Sequence, residues 1–258
     1  MKSTGFIATP GYPKREVNRG MNITVFVPCY VDACYPGVGI AMVGLLERLG
    51  HDLKFHPELT CCGQPAFNAG CWDEARKVAA RNVDVLTDAE AVVVPSGSCA
   101  AMMRKFYPEL FHGHPQESEA SAVAGRCHEL SSFIADTLGI TDVGASFPHR
   151  VTFHDGCHGM RELGIKTAPR KLLADVKELE LIEMEDSNVC CGFGGTFAVK
   201  FPSISTAMGE TKIGTASETG AEYIVSNDVS CLMHIGGLLK RRNDPLKTIH
   251  LAEVLVQT

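Results

Sequence analysis

Two stretches with adjacent cysteines, Cys61-Cys62-Gly63-Gln64 and Cys190-Cys191-Gly192-Phe193, lie 129 positions apart in this chain of 258 residues. Each pair has one cysteine upstream and one downstream, at similar spacings in the two halves: Cys29 and Cys99 around the first pair, Cys157 and Cys231 around the second. A pattern of this length that occurs twice indicates an internal duplication. Paired thiols beside glycine predict that each half holds a soft metal.

The composition narrows the class of protein. The formal net charge is −6 without a long basic run, which argues against nucleic acid as the main partner. No apolar stretch reaches the roughly 18 residues that a membrane-spanning helix needs, so we expect no transmembrane segment. Residues 1–20 lack the apolar core of a secretory signal. We expect them to form a flexible N-terminal tail, and we expect a cytoplasmic protein.

The number of cysteines is high for this size, and it is odd, at eleven. Disulfides are rare in a reducing compartment, where organised cysteine spacings point to metal binding or catalysis. The absence of a C-x-x-C motif argues against a thiol–disulfide enzyme. The chain also lacks a P-loop and any flavin or nicotinamide motif.

Strand and helix signals alternate along both halves. Residues 22–95 have the order strand, helix, strand, helix, strand, and the same order starts again at Arg150. Such alternation predicts an α/β fold in which strands are parallel. We therefore expect two pseudo-symmetric parallel-sheet domains, residues 21–145 and residues 146–258.

The region between the two repeats is less regular. Residues 111–121 are rich in His, Pro, Gln and Glu and are predicted to form a surface loop. A helix is expected over residues 122–138, and residues 144–148 form a plausible linker. The last segment, residues 247–255, is predicted to add a short strand and a helix.

The four lone cysteines each follow a predicted strand, in what we expect to be loops: Cys29, Cys99, Cys157 and Cys231. The carboxyl ends of parallel strands lie on one edge of a sheet, where open α/β folds bind their ligands. Cysteines far apart in sequence can therefore converge at that edge.

Each half supplies four thiolates, which is the number that one iron–sulfur cluster or one structural zinc requires. The eight candidate ligands are Cys29, Cys61, Cys62, Cys99, Cys157, Cys190, Cys191 and Cys231. Adjacent cysteines reach two irons of a cluster more readily than they share one small ion. The nearby glycines would let the backbone approach a bulky cofactor: Gly63, Gly192, Gly194 and Gly195. The pattern favours one iron–sulfur cluster per half, with zinc and simple packing cysteines as alternatives.

Two histidines flank one of the lone cysteines. His154 and His158 stand on either side of Cys157, and imidazole can carry protons or bind a cluster. We regard them as candidates for a proton relay, with local hydrogen bonding as the alternative. Of the other cysteines, Cys71 and Cys127 are expected to be packing residues in helices or at their edges, and Cys34 is a weaker candidate for the Cys29 site.

Five longer motifs resemble those of a known protein family. They are 61–66 (CCGQPA), 95–99 (PSGSC), 142–145 (DVGA), 190–200 (CCGFGGTFAVK) and 250–255 (HLAEVL). Together they resemble the lactate-utilisation protein A family over nearly the whole chain. Its cysteine-rich CCG domain also occurs in heterodisulfide reductase and in the iron–sulfur subunits of glycolate oxidase and anaerobic glycerol-3-phosphate dehydrogenase.

The resemblance implies an iron–sulfur electron-transfer subunit of a cytosolic complex that oxidises L-lactate to pyruvate. It implies two partners, a ferredoxin-type iron–sulfur protein and a third subunit. The chain alone would then be inactive on lactate. The alternatives are an iron–sulfur subunit of a glycolate or glycerol-3-phosphate oxidase, a disulfide-reductase-like complex, and a zinc-stabilised scaffold that carries no electrons.

One departure from the heterodisulfide reductase pattern bears on cluster type. That family ends each half with C-x-x-C, whereas Ser96 precedes Cys99 and Asp228 precedes Cys231 at the same offset. The departure argues against clusters with five thiolates and against disulfide reduction. Asp228 remains a candidate oxygen ligand.

Overall fold

The computed structural model of the protein describes residues 21–258, so the predicted tail at residues 1–20 lies outside the described residues. Within this range the strands are β1 (Asn22–Val25), β2 (Asp52–Phe55), β3 (Ala91–Val94), β4 (Cys127–Glu129), β5 (Arg150–His154), β6 (Glu180–Leu181), β7 (Tyr223–Ser226) and β8 (Lys247–His250).

The helices alternate with these strands. They are α1 (Cys29–Cys34), α2 (Pro36–Arg48), α3 (Gln64–Asn68), α4 (Trp72–Leu86), α5 (Gly97–Ala101), α6 (Tyr107–Leu110), α7 (Glu117–Arg126), α8 (Leu130–Ser132), α9 (Cys157–Leu163), α10 (Thr167–Ala174), α11 (Thr196–Lys200), α12 (Pro202–Glu218), α13 (Val229–Arg242) and α14 (Leu251–Val256). Two π-helical turns, Met102–Phe106 and Phe133–Thr137, continue α5 and α8.

The strands form two four-stranded sheets with matching topology, β2-β1-β3-β4 and β6-β5-β7-β8. Every pairing is parallel. In the first sheet Ile23 pairs with both Leu53 and Ala91, and in the second Val151 pairs with both Leu181 and Tyr223. The prediction of a duplicated α/β fold with parallel sheets is confirmed. The division at residues 145 and 146 stays a prediction.

The two halves share one hydrophobic core and each has a smaller core of its own. The shared cluster contains buried residues from both halves, including Ile23, Phe133, Val151 and Leu255. Burial of apolar surface is the main favourable term in folding. The sheets are therefore held against each other by the same interaction that holds each sheet to its helices.

The last helix of each half packs against the other half. α14, at the end of the chain, packs on α2, where Arg48 donates from Nη1 to the carbonyl oxygen of Val256 at 3.2 Å. In return, α8 and its π-helical turn pack on α10, and Lys171 pairs with Asp136 at 3.1 Å. This reciprocal exchange follows the pseudo-twofold relation between the halves.

The prediction of one helix over residues 122–138 was wrong. Helix α7 already begins at Glu117, inside the predicted loop, and β4 interrupts the segment by pairing with β3. The chain turns helical again after Glu129, whose carboxylate accepts a hydrogen bond from the Ser132 amide at 3.1 Å. Pairing with a buried strand outweighs helix propensity here because it satisfies buried backbone groups.

Among the helices between residues 21 and 258, none is both long enough and apolar enough to cross a bilayer.

Candidate metal centres

The four lone cysteines lie where strands β1, β3, β5 and β7 end and the next helix begins. Cys29 and Cys157 are the first residues of α1 and α9. Cys99 and Cys231 are each the third residue of a helix, α5 and α13. The prediction that these residues occupy loops was wrong, because the helix follows the strand almost directly. Their position at the carboxyl ends of the strands is as predicted.

The first quartet is a chain of contacting thiols. Cys61 accepts hydrogen bonds from Cys29 and Cys62, and the sulfurs of Cys62 and Cys99 are 3.3 Å apart. The Gly63 amide adds a donor at 3.4 Å from the Cys61 sulfur. These donors hold the pKa of Cys61 far below its usual range, whereas the same contact raises the pKa of Cys29 and of the fully buried Cys62. Cys61 is therefore the sulfur of the first half that most favours the thiolate form.

The second quartet repeats this arrangement. Cys190 accepts hydrogen bonds from Cys157 and Cys191, and the Gly192 amide lies 3.4 Å from its sulfur. The pKa of Cys190 is strongly lowered, and the pKa values of Cys157 and Cys191 are raised. The hydrogen bond from Cys191 also lowers the pKa of Cys231, to about 7. This half thus has two sulfurs that favour the thiolate form.

Both quartets border one cavity of about 70 Å³ between the halves. The cysteines that line it are Cys29, Cys62, Cys99, Cys157, Cys190, Cys191 and Cys231. Next to residues that line it, the halves touch through backbone, because the Gly97 amide donates to the Asn227 carbonyl at 3.1 Å. Sulfurs from the two halves therefore face a common space.

The glycine after each cysteine pair has a left-handed backbone, with φ of +89° at Gly63 and +91° at Gly192. A β-carbon at Gly192 would lie 2.6 Å from the Ser205 carbonyl oxygen, closer than such contacts occur. Gly194 and Gly195 also have positive φ and line the cavity. The glycines thus let the backbone turn tightly beside the sulfurs.

Asp228 lines the cavity, but its carboxylate already has protein partners. Oδ2 accepts from the Ser98 amide at 2.7 Å and from the Ser96 hydroxyl at 3.4 Å. Oδ1 accepts from the Ser230 amide at 3.1 Å and so caps α13. Ser96 in turn caps α5 by accepting from the Cys99 amide. Ser96 and Asp228, where the sequence departs from a C-x-x-C pattern, therefore cap helices and meet across the two halves.

The two candidate histidines differ in their surroundings. His158 lines the cavity, with Nδ1 at 3.8 Å from the Cys157 sulfur. His154 is fully buried at the end of β5, and one ring nitrogen lies within 4.8 Å of the sulfurs of both Cys191 and Cys231. Neither ring nitrogen of His154 has an oxygen or nitrogen partner within residues 21–258, but the imidazole interacts with the Cys231 thiol and helps to lower its pKa.

Sequence reasoning missed the residues that donate hydrogen bonds to the backbone carbonyls of the cysteine-pair segments. In the first half Asn82 donates to the Cys61 carbonyl at 2.8 Å, and the Tyr107 hydroxyl donates to the Cys62 carbonyl at 3.0 Å. In the second half the Ser205 hydroxyl donates to the Gly192 carbonyl at 2.8 Å. The available signal was a polar residue on the buried face of α4 or α12.

The remaining cysteines lie outside both quartets. Cys127 is buried in β4, and burial raises its pKa to about 12, so the prediction of packing was right although the predicted helix was wrong. Cys71 and Cys34 are exposed, so the packing prediction for Cys71 was wrong. Cys34 ends α1 and does not line the cavity.

Comparisons with known proteins agree with the duplicated site. The model of the cysteine-rich domain, CCG, matches residues 23–104 and again residues 151–236. Lactate utilization protein A of Geobacillus kaustophilus is 47% identical over 91% of this chain and 98% of its own length. The protein of the same name from Bacillus subtilis is 44% identical over 91% of this chain and 99% of its own length.

A solved structure of a hypothetical protein from Helicobacter pylori shares the fold, with a TM-score of 0.66 over 97% of this chain at 11% identity. This chain spans about half, 51%, of the length of that protein. The extent and identity of the sequence matches, together with the two cysteine-rich domains, establish that the chain belongs to the lactate utilization protein A family.

Proposed function

We propose that this chain is an iron–sulfur electron-transfer subunit of a cytoplasmic system that oxidises L-lactate to pyruvate. The family to which it belongs is named for lactate utilization, which supports the process. The observation that carries the electron-transfer role is the convergence of two cysteine quartets on one cavity. Centres bound there would be neighbours, as an electron relay requires.

The residues present fit an iron–sulfur centre in each half. Four contacting sulfurs form a soft donor set, and a low pKa supplies the thiolate form that binds metal, at Cys61 in one half and Cys190 in the other. The proposed ligands are Cys29, Cys61, Cys62 and Cys99 in the first half and Cys157, Cys190, Cys191 and Cys231 in the second. When bound, such clusters supply one-electron redox chemistry.

The surrounding groups have separate roles in this proposal. Gly63 and Gly192 let the backbone pass close to each centre, and Gly194 and Gly195 extend that path at the second. We leave Asp228 out of the ligand set because its carboxylate oxygens already accept hydrogen bonds. His158 borders the cavity and is the better placed proton carrier of the two histidines.

The lactate site itself is proposed to lie in a partner, since the sequence offers no flavin or nicotinamide motif for the hydride. The expected partners are a ferredoxin-type iron–sulfur protein and a third subunit. Deletion strains grown on lactate, glycolate or glycerol distinguish this proposal from the glycolate and glycerol-3-phosphate alternatives. Loss of growth on lactate alone supports the proposal, and unchanged growth on lactate contradicts it.

The direct test is iron and sulfide quantification on protein purified without oxygen, combined with visible and EPR spectra. Cys62→Ser and Cys191→Ser should each lose one centre while keeping the other. Cys71→Ser is the matched control, because Cys71 is exposed and lies outside both quartets. Wild-type protein without iron, or full iron content in both variants, would refute the proposal.

A zinc-stabilised scaffold is the second candidate, because four thiolates also satisfy one structural zinc. The Cys62 and Cys99 sulfurs, which are 3.3 Å apart, are close enough to bind one ion together after a small separation. Colourless protein with stoichiometric zinc after anaerobic purification would support the scaffold over the electron carrier.

A further inference from the structure

His154 has a position that local structure does not explain. It ends strand β5 and is fully buried, and neither ring nitrogen has an oxygen or nitrogen partner within the described chain; its imidazole interacts instead with the Cys231 thiol. Buried polar atoms are nearly always paired, because leaving them without a partner costs free energy. The ring nitrogen that lies within 4.8 Å of the Cys191 and Cys231 sulfurs is therefore aimed at the second quartet.

The first half shows that the fold does not need a histidine there. Phe26 stands three residues before Cys29, just as His154 stands three residues before Cys157. Phe26 is also fully buried, and it belongs to the same hydrophobic cluster as Cys62 and Cys99. An apolar ring thus fills the equivalent space in the first half without an unpaired nitrogen.

We propose that His154 provides a nitrogen ligand to the metal centre of the second half in place of one of its four thiolates, whereas the first centre has sulfur ligands only. The inference rests on the proposed function, because it needs a metal centre in each quartet. A neutral imidazole that replaces an anionic thiolate favours the reduced state of a cluster, as histidine ligation does in Rieske centres. The second centre should therefore have the higher reduction potential and receive electrons from the first.

The test is pulsed EPR on reduced protein in which only the imidazole rings of histidine carry ¹⁵N. Cys62→Ser leaves the second centre alone, and Cys191→Ser leaves the first. A strong ¹⁵N coupling is expected in the Cys62→Ser protein and should be absent from the Cys191→Ser protein. Because the label is confined to the imidazole rings, backbone nitrogens that donate to sulfur cannot produce the signal.

Two further variants, made in the Cys62→Ser background, assign the coupling to one histidine. His154→Phe copies the first half and should abolish the coupling and lower the potential of the second centre. His158→Phe is the matched control and should keep the coupling, since His158 stands beside the same cysteine. If His154→Phe does not hold iron, a coupling in Cys62→Ser that persists in His158→Phe still points to His154, because its ring nitrogen lies within 4.8 Å of the Cys191 and Cys231 sulfurs.

The outcomes separate the inference from the function on which it rests. Iron in the Cys62→Ser protein without histidine coupling overturns the inference alone, as does a coupling that disappears in His158→Phe. Absence of iron from both single-centre proteins and from the wild type overturns the proposed function, and the inference with it.

Discussion

The two halves bring their cysteines together in the same way but support them differently. In the first half neutral groups hold the cysteine pair, Asn82 and the fully buried Tyr107. In the second half a buried lysine, Lys212, donates to the Asp186 carbonyl oxygen in the loop before Cys190. Duplication has therefore preserved the sulfur geometry while the residues behind it diverged.

A second difference lies just before the lone cysteine of each half. Asp155 is fully buried and accepts two hydrogen bonds from Arg170, at 2.8 and 3.0 Å, and one from Ser187 at 2.8 Å. At the same distances from Cys29 the first half has Val27 and Met42. The second half therefore has a buried ion pair at positions where the first half has apolar side chains.

The largest effect is expected from Arg170→Met, which gives the second half the side chain found at position 42. The variant leaves the Asp155 carboxylate buried without its cation, which typically costs about 3–5 kcal/mol of the free energy of unfolding. Chemical denaturation followed by circular dichroism measures this loss. The double variant Asp155→Val, Arg170→Met should recover much of it, and a double variant no more stable than Arg170→Met would contradict the role of buried charge.

The next largest difference in stability is expected between alanine variants of the two glycines that follow the cysteine pairs. Gly192→Ala places a β-carbon 2.6 Å from the Ser205 oxygen and 2.8 Å from the Met208 side chain, at positive φ. Overpacking and the left-handed backbone together should cost about 3 kcal/mol. Gly63→Ala meets its nearest atom only at 3.2 Å, so the backbone term of about 1 kcal/mol should dominate.

Denaturation of the two alanine variants side by side measures the difference. The second-centre metal should also be lost in Gly192→Ala, whereas both centres should survive in Gly63→Ala. Equal losses of stability would mean that the close contact in the second half relaxes without cost.

The caps of the exchanged helices predict a pH dependence. His250 caps α14 by accepting from the Ala252 amide at 3.1 Å, and burial lowers its pKa to about 4. The unfolded chain binds this proton near pH 6.5, so stability is lost as the pH falls from about 6.5 to about 4. The loss at pH 5 should be about 2 kcal/mol.

Glu129 is the corresponding cap of α8, and its contribution to the free energy of unfolding changes with pH in the opposite direction. Burial raises the pKa of its carboxyl, so the folded state prefers the protonated form and this group favours folding less as the pH rises above 4.5. Unfolding free energies measured between pH 4.5 and 7.5 on wild type and His250→Asn separate the two contributions. An unchanged slope between pH 5 and 6.5 in His250→Asn would contradict the assignment to His250.

The parts of this molecule that could be predicted from its sequence are those with a local signal. Strand β3 is four consecutive apolar residues, and the cysteine spacing repeats in both halves. Strand β4 was missed because Cys127–Glu129 has neither alternation nor β-branched residues and forms only by pairing with β3. Tertiary context decides such a segment.

The supporting residues of the site were missed for a related reason. Asn82 reaches the Cys61 carbonyl from 21 positions away, and its partner is a backbone atom that every residue carries. The contact that requires glycine at position 192 comes from the backbone carbonyl of Ser205, which also leaves no signal in the sequence. Metal ligands are visible as residue types and spacings, whereas the groups that position them become visible only when the chain is folded.

The smallest expected losses of stability come from removing one hydrogen bond in each half. Tyr107→Phe removes the donor to the Cys62 carbonyl, and Ser205→Ala removes the donor to the Gly192 carbonyl. Each should cost about 1 kcal/mol of unfolding free energy, because one buried acceptor loses its partner. Tyr107→Phe also removes the hydroxyl that accepts from Asn82, but Asn82 keeps its bond to the Cys61 carbonyl. The losses should add in the double variant, since the two bonds lie in different halves and share no partner. Denaturation curves for the four proteins test this, and a strongly non-additive double variant would show that the two supporting layers are coupled through the shared core.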